Sequence, residues 1–417
     1  MKKIILVGGG ISSCILAIFL KDKNHKVEIY EKTNSLGGVL KDYNFNDNIF
    51  FKGIQYFDVQ NEWHEKFIKL FKKEFKIFEH IYGSFSEIDN KKYSTFNFAA
   101  PYFKKINLKT LPTLHKLKKN KRISLEDRLS FYGPKEKFFL LNIIKRHKLD
   151  AKKISFNSAI ALQMDRIAYL ESTKEIIDLK KKFIFDDLYA IERFRIFNEK
   201  LIATLPKKGF SNFLISLEKI LKQKGIKIFL KQKIEPVWKG NKLCLFSNDK
   251  FISNDHVIWS GDPSKLIQSY NGKELDSMFT RFIQVHSNII SSNFEKNIYF
   301  QIFSEKSNIT RIYLYEINNQ KKISLECIVH PVNEKKILDE AAKILENFKI
   351  KIKINKNTIH QKIDTRFNIL SVKDEKIIKI FLDKTKKSNL LNGAWLYYGR
   401  DNKISHFIKI LNEKKLI

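Results

Sequence analysis

The chain has 417 residues, enough for more than one domain-sized core. Lys and Arg number 78 against 45 Asp and Glu, a net charge of +33, yet the lysines run along the whole chain and no zinc-finger spacing or RNA-binding signature accompanies them, which argues against a nucleic-acid partner. Cys14, Cys244 and Cys327 are too few and too scattered for a disulfide framework or a metal knuckle. They point to a reducing, cytoplasmic setting, and no apolar run is long enough for a spanning helix.

The first stretch, "KKIILVGGGISSCILAIFLKDKNHKVEIYEK", opens like an export signal with two lysines and an apolar run. Gly8, Gly9 and Gly10, then Ser12 and Ser13, cut that run in two, and no small-residue cleavage pattern follows. Every position fits a folded unit instead. Ile4 to Val7 reads as a buried parallel strand, Gly8 to Gly10 as a tight turn, Ile11 to Leu20 as a helix, and Lys26 to Tyr30 as a second strand ending at Glu31. Strand, glycine turn, helix, strand and acid make the dinucleotide-binding fingerprint in its required context. Gly8 allows the turn and Gly10 lets the backbone approach a pyrophosphate. The helix start at Ile11, Ser12 and Ser13 aims its amides and positive dipole end at those phosphates. Glu31 can accept from ribose hydroxyls, with Lys32 beside it. The third glycine of the pattern is replaced by Ser13, small enough to keep helix and strand close. Gly37-Gly38 lies just past the second strand, a pair that a plain NAD site does not need.

From about residue 60 to 200 the pattern reads mainly as helix. "EWHEKFIKLFKKEFKIFEHIY" places Trp63, Phe67, Leu70, Phe71, Phe75 and Phe78 on one face, Ser124 caps the segment after a lysine cluster, and "ISFNSAIALQMDRIAYL" carries a buried stripe. "LPKKGF" is a turn into an amphipathic helix with Phe213, Leu217 and Leu221, ended by Gly225. A strand follows through Ile226, Ile228 and Leu230, and another at Val257 to Trp259 runs into a Gly-Asp-Pro turn. From Asn297 three alternating runs, "NIYFQIF", "ITRIYLYEI" and "KISLECIVH", form an antiparallel sheet. A helix follows near Glu334 to Phe348. "GAWLYYGRDNKISHFIKIL" reads as a strand, a Gly-Arg turn and a helix.

In this order the chain resembles the flavin amine oxidase superfamily, which includes protoporphyrinogen oxidase-like proteins and UDP-galactopyranose mutases. The resemblance spans nearly the whole chain, more by order than by identity beyond the first 40 residues. It implies an α/β fold: a Rossmann-like FAD-binding domain with a parallel sheet, formed by residues 1–60, 205–265 and 385–417, and a substrate domain of helices and an antiparallel sheet, formed by 61–204 and 266–384. The implied cofactor is FAD, for which Gly37-Gly38 resembles the extended fingerprint. "KQKIEPV" resembles the adenine-holding segment and implicates Ile234. "YYGRDNKISHF" resembles the closing motif, with Gly399, Arg400, Ser405 and His406 near the flavin, His406 opening the last helix. Gln55 stands where relatives carry a histidine, and cannot do its acid-base work. Arg311 resembles an arginine that clamps a substrate diphosphate. Gln55 and Arg311 are therefore the candidate catalytic residues, and no metal site is indicated. The expected activity is FAD-dependent hydride transfer from a small molecule, with a mutase-like isomerase of a nucleotide sugar as the alternative. An anionic substrate would use part of the charge. Membrane-surface contact and oligomeric state stay open.

Overall fold

The computed structural model describes residues 1–53, 56–59, 62–88, 90–96, 123–130, 132, 134–162, 201–276, 278–329, 333–391 and 393–417, with the backbone alone for 160, 279, 366 and 367. The chain divides into two compact units, Met1–Lys41 with Phe210–Ser277 and Leu370–Ile417, and Asp42–Gly209 with Met278–Ile369. Relative to the division expected from sequence, 42–60 and 205–209 fall in the second unit, and 266–277 and 370–384 in the first.

The first unit is built on a five-stranded sheet in the order Lys227–Phe229, Lys26–Tyr30, Lys3–Val7, His256–Trp259, Leu390–Leu391, with every neighbouring pair parallel. Its central strand is an unbroken apolar run because both faces are covered; Ile4, Ile5 and Leu6 are fully buried. Helix Ile11–Asp22 crosses from the first strand to the second, burying Cys14, Ile15, Leu16 and Leu20. Helix Gly209–Gln223 leads to strand Lys227–Phe229, and Gly225, at φ +74°, turns the chain between them. A small antiparallel sheet, Glu235–Lys239, Lys242–Ser247 and Lys250–Ile252, follows. Helix Val372–Thr385 starts with a capping box between Ser371 and Asp374. His25 ties the two chain ends: Nδ1 accepts from the Lys2 amide at 3.2 Å and Nε2 donates to the Leu416 carbonyl at 2.8 Å.

The second unit is built on an eight-stranded sheet ordered Ile352–Ile354, Met278–Ser292, Gln320–Ile328, Ile309–Ile317, Ile298–Ser304, Ile81–Ile88, Lys91–Thr95, with His360–Ile369 also paired to Met278–Ser292. All pairs are antiparallel except Ile298–Ser304 with Ile81–Ile88. Alternation gives the sheet two unlike faces. Val285, Phe300, Ile312, Leu314, Ile323 and Leu325 point to one, where helix Glu334–Glu346 closes an apolar core with Ile337, Leu338, Ala341 and Leu345. The other face carries tyrosines and polar residues.

Several expectations are corrected here. The aromatic stripe after Trp63 is not one helix. Helix Glu62–Leu70 stops at a turn, and Phe75–Glu79 becomes a strand paired with Ile202–Pro206. Phe75 fits either reading, since it packs on Phe67 and Phe71 from the strand. Residues 81–95 are strands as well. Phe156–Ile160 is a short 3-10 turn, and the rest of that expected helix lies outside the described residues beyond 162. Near the end, the strand is Leu390–Leu391, while 393–398 is a turn held by Tyr397 N to Ala394 O at 3.2 Å.

Candidate functional site

The fingerprint residues meet at the carboxyl end of the parallel sheet. Gly8 takes φ +101°, a region that L side chains avoid. A Cβ there would lie 2.9 Å from Ser260 Oγ and 3.2 Å from Gly261 N. A Cβ on Gly9 would strike Leu36 Cδ2 at 2.7 Å and Glu31 Cβ at 3.0 Å. One on Gly37 would strike the Leu214 side chain at 2.5 Å. These glycines answer to the protein's own packing. Gly10 does not. It caps helix Ile11–Asp22 at φ −63°, ψ 162°, an ordinary extended conformation, and a Cβ there meets nothing within 4 Å.

Around that open space the backbone is arranged as a cradle. Gly37 N donates to Gly9 O at 2.8 Å, and Gly10 forms a parallel bridge with Gly37. Gly38 comes so near that its Cβ would lie 3.3 Å from Gly10 Cα. The first intrahelical bond runs from Cys14 N to Gly10 O. The amides of Ile11, Ser12 and Ser13 precede it, Gly10 offers no side-chain cap, and the first turn holds no acid. The result is a helix N-terminus suited to an anion. Ser13 is fully buried, its hydroxyl 2.6 Å from Ser260 Oγ, and Ser260 Oγ donates to the carbonyls of Val7 and Gly8. Serine in the third-glycine place thus couples helix to strand through a hydrogen bond. Ser260 itself escaped the sequence reading, although "WSGDP" at a strand end was a usable signal.

Glu31 is buried and committed. Oε2 accepts from Gly9 N at 2.6 Å and Oε1 from Thr33 N at 2.8 Å. Each oxygen keeps a second lone pair. The Glu31–Thr33 stretch is also paired with the next strand's exit, by Lys231 N to Thr33 O and Gln232 N to Glu31 O. Buried Ile234 follows. Exposed Lys32 lies near Lys233 and Lys265, and contact with Lys233, with Lys32 adding to it, holds the Lys265 ammonium below its usual pKa. Lys32 and Lys233 thus both act on Lys265, with Glu235 opposing them. Burial, then Glu28, pushes the Tyr30 phenol up; its ring stacks on Phe229 at 4.6 Å.

At the far end of the chain, Gly399 caps helix Arg400–Glu413 with φ +80°. The amides before its first intrahelical bond, Lys403 N to Gly399 O, belong to Arg400, Asp401 and Asn402. His406 and Ser405 sit well inside that helix, so the expectation that His406 opens it is corrected: its amide lies beyond the unpaired first turn. The His406 ring packs on Tyr397 at 4.4 Å, and Ser405 is exposed.

In the second unit Gln55 lies outside the described residues. Its neighbour Tyr56 is buried, its hydroxyl accepting from Tyr82 Oη at 2.8 Å. The polar sheet face forms rows across paired strands. Ser84, Gln301, Arg311, Glu326 and Gln284 make one; Tyr82, Tyr299, Tyr313, Ser324 and His286 make the next. Arg311 Nη1 is 2.8 Å from Glu326 Oε2, with 5% and 1% of the side chains exposed. A pairing irregularity between Ile309 and Arg311 turns Ile309 to the apolar face, correcting the simple alternation that placed the two together. Arg311 also borders a cavity of about 20 Å³ with Gln301, Phe282 and His147, room for one water. Burial, then Arg146 and Arg311, lowers the His147 pKa to about 4. No group of described residues is arranged to hold a metal ion, and no described helix is long and apolar enough to cross a membrane.

Residues 6–71 match the model of the NAD(P)-binding Rossmann-like domain. No curated protein matches the sequence. Among solved structures, a reduced UDP-galactopyranose mutase is similar with TM-score 0.65 at 10% identity, over 100% of this chain and 96% of that one. A protein of Exiguobacterium sp. 255-15 assigned as a protoporphyrinogen oxidase gives 0.58 at 10% identity, over 100% and 99%. Putrescine oxidase bound to putrescine gives 0.60 at 10% identity, over 100% and 99%. The chain shares its overall fold with these solved structures along nearly the whole length of both partners, and its first residues match a Rossmann-like domain.

Proposed function

We propose that the chain is an FAD-dependent oxidoreductase acting on a small molecule. The observation that carries this is the open space at Gly10, ringed by glycines that protein packing explains and left by one that it does not. A pyrophosphate backed by the amides of Ile11, Ser12 and Ser13 accounts for it. Gly37 and Gly38 then let a second stretch of backbone pass beside the cofactor. The remaining Glu31 lone pairs take ribose hydroxyls, Lys32 adds positive charge, and Ile234 lies against the adenine. Gly8 sets the turn. The helix start at Gly399 and Arg400 faces developing negative charge in this reading. FAD, when bound, would supply the acceptor for a hydride leaving a substrate C–H bond as a C–N or C–C unit is oxidised; the protein's part is to hold it, orient the substrate and exclude water. The similarity to oxidases and to a mutase supports this fold for flavin chemistry.

The mutase alternative rested on Arg311 as a diphosphate clamp. Its guanidinium is instead spent on Glu326 in a buried sheet row, so the observations favour the oxidoreductase. The test is direct. Purified protein is expected to be yellow and to release FAD on denaturation. A colourless protein that takes up NAD and ignores FAD in calorimetry would refute the reading.

A further inference from the structure

One surface of the second unit combines unpaired cations with exposed apolar side chains. Helix Glu62–Leu70 lies on the small sheet of Phe57–Asp58, Ile202–Pro206 and Phe75–Glu79, through Phe67 and Phe71 against Phe57 and Phe75. Leu70, at the helix end, is 41% exposed. Ile77, two residues beyond Phe75 on the same strand face, is 54% exposed. Between them the turn carries exposed Lys72 and Lys73, preceded by exposed Lys69. Lys207 N donates to Glu74 O at 2.8 Å, which brings the exposed Lys207 to the same turn. Among the described residues no carboxylate pairs with Lys69, Lys72, Lys73 or Lys207.

We propose that this rim, with Leu70 and Ile77 inserted and Lys69, Lys72, Lys73 and Lys207 around them, docks on an anionic lipid bilayer. The pattern suits an interface better than a solvated face. Lysines attract anionic headgroups, and the two exposed aliphatic side chains that flank this turn would reach the acyl boundary. A net charge of +33 favours any polyanion, but it does not explain apolar side chains left in water among unpaired lysines.

The experiment is vesicle co-sedimentation of the full chain at about 0.1 M salt, where exposed charges more than ~10 Å apart are largely screened. Phosphatidylcholine vesicles are compared with vesicles also containing phosphatidylglycerol. Binding is expected only to the second. Lys72→Glu with Lys73→Glu should lower it at least about tenfold, and Leu70→Ser with Ile77→Ser about fivefold. Lys351→Glu with Lys353→Glu makes the same charge change elsewhere on this unit and should lower it less than about threefold. Urea unfolding confirms that each variant is folded. Absence of binding, equal loss from the two charge-reversal pairs, or no effect of the serine pair together with full competition by heparin overturns the proposal.

Discussion

Replacing Gly10 by alanine separates a glycine kept for a ligand from one kept for the fold. The added methyl meets no protein atom within 4 Å, and φ −63°, ψ 162° suits any residue. The cost to the fold is that of a poorer helix N-cap, below about 1 kcal/mol. The cost to binding is that of forcing a methyl into an occupied site, about 1–3 kcal/mol, or roughly 5- to 150-fold in affinity. Gly9→Ala should reverse the pattern. Its methyl must displace Leu36 and the Glu31 stem, so unfolding free energy drops by about 1–3 kcal/mol, with binding falling as a consequence. FAD affinity by flavin fluorescence, beside urea unfolding of the same preparations, reads both quantities. If Gly10→Ala holds FAD as well as the wild type, the space at Gly10 is not where the pyrophosphate lies, and the cofactor assignment loses its main support.

Three further outcomes are expected. Glu31→Gln cannot satisfy both Gly9 N, whose bond is buried, and Thr33 N, whose bond is part-buried, so one amide loses its partner; stability should fall by about 1–3 kcal/mol and FAD retention with it, measured by urea titration and flavin release. Glu326→Leu strands the Arg311 charge in the sheet and should cost about 3–5 kcal/mol, whereas Arg311→Met with Glu326→Leu should recover most of it; a double variant no better than the single one would count against a structural pair. Acid should weaken the second unit. Burial, then His360 and Lys322, lowers His286 to about 3, and His147 stands at about 4, both from 6.5. The unfolded chain therefore binds more protons below pH 6.5. Stability is full above that value and declines through it, by about 2 kcal/mol per histidine at pH 5. Urea unfolding of wild type and His286→Gln between pH 7.5 and 5 should show a shallower slope in the variant.

The parallel sheet was legible in the sequence because its strands are short apolar runs bounded by glycines and helices, and Lys3–Val7 and Lys26–Tyr30 are joined by a single helical crossover, as parallel neighbours require. The three runs from Asn297 were legible by alternation. Strand Met278–Ser292 and its partner His360–Ile369 were not, because polar residues such as Gln284, His286 and Ser287 sit in buried positions and blur the period. Phe75–Glu79 was missed for the opposite reason: its aromatic residues continue a helical stripe, and only the turn at Phe71 to Glu74 breaks it. At the site, the glycines and Glu31 were legible as residues. What Glu31 does was not, since its two backbone donors are fixed by the folded turn. Nor could sequence show that Arg311 would face Glu326, its pairing partner on the neighbouring strand, because cross-strand register is set by the folded sheet.

The central strand, Lys3–Val7, has one neighbour that arrives at once and another that arrives very late. Its partner His256–Trp259 lies 252 residues downstream, and the Ser260 hydroxyl that closes the glycine turn onto Val7 lies 253. At roughly 5–20 residues per second, a ribosome takes about 13–50 s to deliver them. Until then the first strand, one of the most apolar segments of the chain, has an open edge, and the glycine turn has no lid. Helix Ile11–Asp22 and strand Lys26–Tyr30 can cover part of it. The rest is a waiting period in which aggregation competes with folding. The glycine turn of the first strand is thus closed by Ser260, a residue from far downstream, and His25 reaches further still, to the Leu416 carbonyl.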